Sequence, residues 1–186
     1  EAREIAEQLG FCNARKHDSQ DICFVPNGDY VKFMEQYTGK QYPAGAFLDL
    51  EGQTVGRHCG AVRYTLGQRK GLGLAMGEPV YVCGKDMAAN TVTVGPENAL
   101  YSSILLAEDM NWISIPQLKQ PMRVKAKTRY RQAEQWAAVY PEQHGRVWLE
   151  FDVPQRAVTV GQAVVLYDGD VVVGGGTICQ APPTKR

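Results

Sequence analysis

Apolar and polar residues recur in two different periods along this chain. In residues 2–9 the apolar positions lie at helical spacing, and Gly10 follows as a stop signal. A second helix is predicted after Asp29, which is a good N-cap, and Gly39 is its expected end. The polar segment 13–22 shows neither period, so we expect a loop there.

From residue 46 onward the pattern favours short β-strands separated by turns. A first group of strands is predicted at 47–50, 53–56, 80–83 and 91–94. After a boundary at 96–103, a second group is predicted at 104–107, 122–130, 135–140, 146–151, 163–167 and 170–173. Short strands at this spacing are typical of a small closed barrel. The predicted fold is therefore mainly β with a few helices: a small mixed α/β central domain followed by a C-terminal β-barrel.

Composition limits the class of protein. The chain has 186 residues, 44% of them hydrophobic and 22% charged, so it can bury a core. Its apolar runs are far shorter than the roughly 18 residues that a membrane-spanning helix needs, and no secretory leader is recognised, so we expect a cytoplasmic protein. Because the chain begins with Glu1 inside a helical pattern, we expect a domain before it. The 20 basic and 20 acidic residues give no net charge, which at first argues against a nucleic-acid partner.

The distribution of charge changes that picture. Residues 119–131 contain six cations and no acid, which leaves 14 of the 20 basic residues against all 20 acidic ones elsewhere. Five cations alternate with less polar residues, and period two places them on one face of a strand: Arg123, Lys125, Lys127, Arg129 and Arg131. Their spacing of about 6.6–6.8 Å is similar to that of successive phosphates in a nucleic acid. Two interpretations stay open: a phosphate-binding stripe, or a solvated face whose cations pair with neighbouring acids.

The glycine-rich segment 67–73 does not match a nucleotide-binding loop. It lacks the Gly-x4-Gly-Lys-Ser/Thr string, and its glycines are out of register with the dinucleotide pattern. Arg69 and Lys70 lie within it and could contact a phosphate backbone, or the segment could be an ordinary loop between strands.

The cysteines predict neither a disulfide framework nor a metal site. There are five of them, at irregular positions and without a Cys-x2-Cys pair: Cys12, Cys23, Cys59, Cys83 and Cys179. Reduced thiols in a reducing cytoplasm are expected, and for each cysteine the plain alternative is a buried, inert side chain.

Four segments together resemble a known family. They are residues 18–24 (DSQDICF), 58–73 (HCGAVRYTLGQRKGLG), 127–132 (KTRYRQ) and 174–178 (GGGTI). In this order they resemble the bacterial tRNA-specific 2-thiouridylases, which are often mislabelled tRNA methyltransferases, and the resemblance covers residues 1–178. It implies three parts: residues 1–27 as the end of a truncated ATP-binding domain with a catalytic-cysteine loop, 28–100 as a central tRNA-contacting domain, and 101–186 as a C-terminal barrel.

The resemblance also implies a reaction. The full enzyme would use ATP with Mg²⁺ to adenylate the wobble uridine of tRNA and would then install sulfur at C2, delivered as a persulfide on Cys23. The ATP-binding loop of the family, Ser-Gly-Gly-x-Asp-Ser, is not in this chain, so we expect the fragment alone to bind no ATP and to be inactive. The implied partners are tRNA and a sulfur-donor or relay protein, and we expect a monomer. The second catalytic cysteine is expected outside this chain.

Two other functions remain open from the residues. The chain could be a non-catalytic RNA-binding β-barrel module whose cysteines are incidental, or a barrel that docks on a protein partner. The basic residues predicted to contact tRNA are the same for the enzyme and for the RNA-binding module: Arg69, Lys70, Arg123, Lys125, Lys127, Arg129 and Arg131.

Overall fold

Two short helices form where the sequence predicts them. In the computed structural model, α1 is Ala2–Gln8 and α2 is Tyr30–Thr38. The Asp29 side chain accepts a hydrogen bond of 3.1 Å from a backbone N–H in the first turn of α2. Gly39 ends this helix in the left-handed conformation, with φ of 67°. Both end signals of α2 are thus confirmed, because each depends only on residues within one turn of the helix.

The structure describes residues 2–15, 25 and 29–182. By their internal contacts these fall into two compact units, Glu1–Tyr42 and Pro43–Arg186. The predicted sulfur carrier Cys23 lies outside the described residues, as does most of the expected loop around it. In the described ranges no helix is long and apolar enough to cross a membrane. The predicted division at residues 27 and 100 stays a prediction.

A four-stranded mixed sheet opens the second unit. Its strands are β1 (Gly45–Leu48), β2 (Thr54–His58), β3 (Tyr81–Asp86) and β4 (Thr91–Gly95). The spatial order is β2-β1-β4-β3, in which β1 runs parallel to β4 and the other pairs are antiparallel. One face packs into a small core centred on Phe47, Tyr64, Val82 and Val92. All four strands were predicted.

A closed barrel of six strands completes this unit. Its strands are β5 (Tyr101–Trp112), β6 (Met122–Lys127), β7 (Gln135–Pro141), β8 (Val147–Arg156), β9 (Ala163–Asp168) and β10 (Val171–Gln180). The closed order is β10-β5-β8-β7-β6-β9. Alternate residues of each strand point inward and fill the interior, among them Leu105, Val124, Leu149, Leu166 and Ile178. The predicted fold class, mainly β with a closed barrel, is confirmed.

Candidate nucleic-acid interface

The outer face of β6 carries the first half of the basic stripe. Val124 and Ala126 are each 1% exposed and belong to the barrel core. Because side chains alternate along a strand, Arg123, Lys125 and Lys127 lie on the outer surface. For these three cations the prediction of a shared strand face is confirmed.

The second half of the predicted stripe does not lie on a strand. β6 ends at Lys127, and residues 128–132 form a turn before β7. The Gln132 N–H donates to the Arg129 carbonyl over 3.2 Å, and the Thr128 hydroxyl donates to the Gln132 side chain over 2.9 Å. The prediction that Arg129 and Arg131 continue the strand face is therefore wrong. Their alternation persists in the sequence, but these contacts turn the chain towards β7.

Two of the strand cations are paired with acids. The Arg123 guanidinium makes a two-pronged ion pair with the Asp152 carboxylate on β8, and this hydrogen bonding lowers the pKa of Asp152. Lys125 Nζ lies 3.4 Å from a carboxylate oxygen of Glu134. At partly exposed sites such pairs contribute little to stability, but each cancels a charge that a phosphate would otherwise meet.

Aromatic rings from the neighbouring strands lie under the same cations. The Trp136 ring on β7 has the Arg123 guanidinium carbon 5.5 Å and Lys125 Nζ 5.7 Å from its centroid. Lys127 Nζ lies 5.3 Å from the centroid of Tyr167 on β9. Cation–π contacts of this kind hold the flexible side chains against the barrel wall. The face is thus both basic and aromatic.

Arg129 is held by the protein itself. Its Nη2 donates to the Ala157 carbonyl over 2.7 Å and to the Thr159 hydroxyl over 3.2 Å, and its Nε is buried without a hydrogen-bond partner. Ala157 is 1% exposed and has a left-handed φ of 52°. Arg129 therefore fixes the strained segment after β8. Arg131, by contrast, is exposed on the turn.

The loop with Arg69 and Lys70 is tied to the edge of the sheet. The Gly67 N–H donates to the Val82 carbonyl over 2.8 Å, and the Val82 N–H donates back to Gln68 over 2.9 Å. Inside the loop, the Gln68 side chain donates to the Lys70 carbonyl over 3.0 Å. These contacts leave Arg69 and Lys70 exposed on an anchored loop.

The loop with Arg69 and Lys70 lies next to the barrel segment at Ala157, to which Arg129 is hydrogen-bonded. A methyl group added at Gly67, where φ is 83°, would lie 3.2 Å from Cβ of Ala157 and 3.3 Å from the Arg156 guanidinium. Arg156 is also stacked over the Tyr81 ring of the sheet, 5.5 Å from its centroid. Two basic segments that are separated by some sixty positions in the sequence thus meet at residues 156–157. Arg123 belongs to the opposite end of β6.

Three side chains at this surface were not found from the sequence. Arg156, Trp136 and Tyr167 each occur singly in strands without a basic pattern. Their positions depend on strand pairing: Lys125 is opposite Trp136 on one side and Tyr167 on the other. The alternation that predicted β6 contains no information about the strands beside it.

The described cysteines differ in their surroundings. Burial raises the pKa of the Cys83 thiol and of the Cys179 thiol, so both favour the protonated form, which is a poor nucleophile. Cys12 and Cys59 are exposed. Within the described part of the chain, no three His, Cys, Asp or Glu side chains are grouped as metal ligands.

Comparison with known proteins identifies two domain matches in this chain. Residues 31–96 match the model of the tRNA methyl transferase PRC-barrel domain, and residues 102–178 match that of the Aminomethyltransferase beta-barrel domain. The tRNA-specific 2-thiouridylase MnmA of Acetivibrio thermocellus is 53% identical over 96% of this chain, which covers 50% of that protein. The protein of the same name from Heliobacterium modesticaldum is 51% identical over 96% of the chain, which covers 47% of it. The chain thus spans about half the length of the curated relatives it matches, and it belongs to the tRNA-specific 2-thiouridylase family.

Proposed function

We propose that this chain is the tRNA-holding part of a tRNA 2-thiouridylase, which replaces the C2 oxygen of the wobble uridine with sulfur. The observation that carries the proposal is about 50% identity, over 96% of the chain, to proteins named for that activity. A barrel with a basic outer face is consistent with this role. Because the chain matches only half of those relatives, we expect it to bind tRNA but not to complete the reaction alone.

The tRNA contacts are proposed at the cations that have no acidic partner among the described residues. These are Lys127, Arg131, Arg69 and Lys70, which have no ion pair within the described residues. Arg123 and Lys125, both predicted as contacts, would first have to exchange their acidic partners for phosphates. Arg129 would act by holding the turn in place. Contacts between cations and phosphates contribute to affinity but do not depend on the nucleotide sequence of the RNA.

ATP with Mg²⁺, which would supply adenylation of the uridine oxygen, does not fit the glycine-rich loop 67–73. The glycine-rich loop is the natural candidate, but its Gly67 and Gln68 N–H groups already donate to Val82 and Thr65 carbonyls. They are therefore not available to cradle phosphates. We propose that ATP binds to a different domain of the whole protein.

Sulfur delivery is proposed at Cys23. A sulfur-donor or relay protein would load this thiol as a persulfide, whose outer sulfur would attack C2 of the adenylated uridine and displace AMP, which leaves with the former C2 oxygen. A second cysteine outside this chain would then attack the Cys23 sulfur and break its bond to the transferred sulfur, so that 2-thiouridine is released and a disulfide forms. An external thiol reductant would restore both cysteines before the next turnover. We further propose that the protein works as a monomer in the cytoplasm.

Binding of tRNA is tested with the chain itself. We expect the charge reversal Lys127→Glu to weaken tRNA binding and to lower the slope of log affinity against log salt by about one or more. The matched control is Lys40→Glu, at an exposed lysine of the other unit. If both variants bind like the parent chain between about 50 and 200 mM salt, the basic face does not bind tRNA.

Sulfur transfer is tested in the protein that includes an ATP-binding domain. Cys23→Ser is expected to abolish formation of 2-thiouridine, measured by mass spectrometry of digested tRNA, and to leave tRNA affinity unchanged. Cys12→Ser, at an exposed cysteine, is the control and should remain active. Normal thiolation by Cys23→Ser would refute the carrier role. If no protein form of this chain thiolates tRNA but the chain still binds it, the alternative of a non-catalytic RNA-binding barrel is correct.

A further inference from the structure

A cleft lies beside the end of β6 on the outer surface of the barrel. It has a volume of about 440 Å³ and is formed by the end of β6 with the turn after it, by the turn before β9 and by β9 itself. The residues that matter here are Lys127, Tyr130, Gln162 and Tyr167. Sites for small ligands have volumes of about 300–1,000 Å³. The cleft is therefore large enough for one nucleotide.

Tyr130 stands at this cleft with its ring in solvent. It is 97% exposed, more than any other large hydrophobic side chain in the described residues. Its turn is nevertheless fixed on both sides: Arg129 is bonded to the Ala157 carbonyl, and Gln132 is bonded to Thr128 and to the Arg129 carbonyl. Folding gains nothing from an aromatic ring that contacts so little. An exposed ring on an anchored turn is instead suited to stack on a planar partner.

The same cleft offers positive charge and a polar amide. Lys127 lies over the Tyr167 ring and has no acidic partner within the described residues, unlike Arg123 and Lys125. Gln162 is exposed, and its hydrogen bonds within the described residues involve only its backbone N–H and carbonyl. Its side-chain amide thus provides one donor group and one acceptor group for the edge of a base. The lysine can therefore bind a phosphate, the open aromatic face can stack on a base, and the amide can hydrogen-bond to the edge of that base.

We propose that this cleft binds one unpaired nucleotide of RNA, whose base stacks on Tyr130 and whose phosphate lies at Lys127. The inference rests on the proposed tRNA-binding function and adds to it a contact that requires a base outside a duplex. Bases inside an RNA helix are stacked on each other and present only their edges, so they cannot cover the ring. The carboxylates of an acidic protein segment would meet the lysine but could not stack on Tyr130.

The test compares three labelled ligands of the same length, about eight nucleotides, by fluorescence anisotropy. They are a single-stranded RNA, an abasic oligonucleotide that keeps the phosphates, and a blunt RNA duplex. We expect Tyr130→Ala to weaken binding of the single strand by about tenfold and to leave the other two ligands unchanged. Tyr130→Phe should retain the affinity because it keeps the ring. Lys127→Gln should weaken binding of all three ligands.

The control is Tyr37→Ala, because Tyr37 is 80% exposed but belongs to the other unit. It should bind all ligands like the parent chain. If Tyr130→Ala weakens all three ligands equally, or none of them, the base contact is refuted while RNA binding by the barrel stands. If the parent chain binds no RNA even at low salt, the proposed function fails together with this inference. If an acidic peptide binds and loses as much affinity from Tyr130→Ala as the single strand does, the cleft is a protein-docking site and the inference is wrong.

Discussion

Arg129 has two alternative roles, to stabilise the turn after β6 or to contact a phosphate of RNA. Replacing it with methionine tests which of the two roles it has. The variant Arg129→Met keeps an unbranched apolar stem and removes the guanidinium that donates to the Ala157 carbonyl over 2.7 Å. Hydrogen bonds from charged groups contribute about 1.5–3 kcal/mol. The Ala157 carbonyl would keep a second donor, the Thr159 hydroxyl at 3.0 Å, so it is not left unpaired. We therefore expect the lower end of that range, a loss of about 1.5 kcal/mol.

The assay is urea unfolding followed by tryptophan fluorescence. All three tryptophans of the chain, Trp112, Trp136 and Trp148, lie on barrel strands, so the signal reports unfolding of the barrel. A loss of about 1.5 kcal/mol corresponds to a melting temperature lower by roughly 3–6 °C in a chain of this size. Arg131→Met is the matched control, and at an exposed site it should change the unfolding free energy by less than about 0.5 kcal/mol.

Binding measurements on the same two variants complete the test. If Arg129 acts through the turn, Arg129→Met weakens RNA binding only as far as the turn loosens, whereas Arg131→Met weakens it without loss of stability. The reasoning is refuted if Arg129→Met is as stable as the parent chain and reduces the salt slope of RNA binding by about one. Arg129 would then be a direct phosphate contact, as the sequence pattern first indicated.

Three further predictions concern other parts of the second unit. Gly67→Ala should destabilise the chain by more than Gly73→Ala, by urea unfolding, because both sites have positive φ but only Gly67 faces a barrel atom within 4 Å; equal losses would contradict the close approach. Burial lowers the pKa of His58, so the unfolded state binds more protons below about pH 6.5. The unfolding free energy should therefore fall as pH drops from 7 to 5, and His58→Phe should show a smaller fall; identical pH profiles would contradict this. Asp152→Asn should free Arg123, strengthen RNA binding and raise its salt slope by about one, whereas unchanged binding would mean that Arg123 does not contact RNA.

Features that depend on neighbouring residues were predictable from the sequence, and those that depend on distant ones were not. Asp29 and Gly39 were correctly assigned as the ends of α2, because a cap involves only its own turn. The inward and outward sides of β6 were correct for a similar reason: alternation is fixed by the strand itself. The end of β6 at Lys127 was missed because it is set by contacts between the turn residues, which the alternating pattern does not reveal. A strand continues only as far as its neighbours pair with it.

The candidate site shows the same limit in its charges. The sequence left open whether the basic stripe binds phosphate or pairs with acids, and the structure contains ion pairs of the second kind at Arg123 and Lys125. The partner of Arg123 is Asp152, 29 positions further along the chain, so no local pattern could reveal it. Which cations remain unpaired is therefore a property of the closed barrel, not of the sequence segment that carries them.

Because the unpaired cations do not follow β6, the expected RNA contact is a cluster at one end of this strand and not a stripe along it. A stripe along one strand would have tracked consecutive phosphates, with five contacts at equal spacing. In the structure the acids neutralise the start and middle of β6, while Lys127 and Arg131 lie at its far end and Arg129 joins that end to residue 157. The loop with Arg69 and Lys70 approaches the same residue from the sheet. A short, strongly bent or looped stretch of RNA fits such a cluster better than an extended one, because phosphates must converge on it from two elements. Variants at Arg69 and Lys127 should therefore show coupled losses of affinity, whereas variants at Arg123 and Lys127 should not.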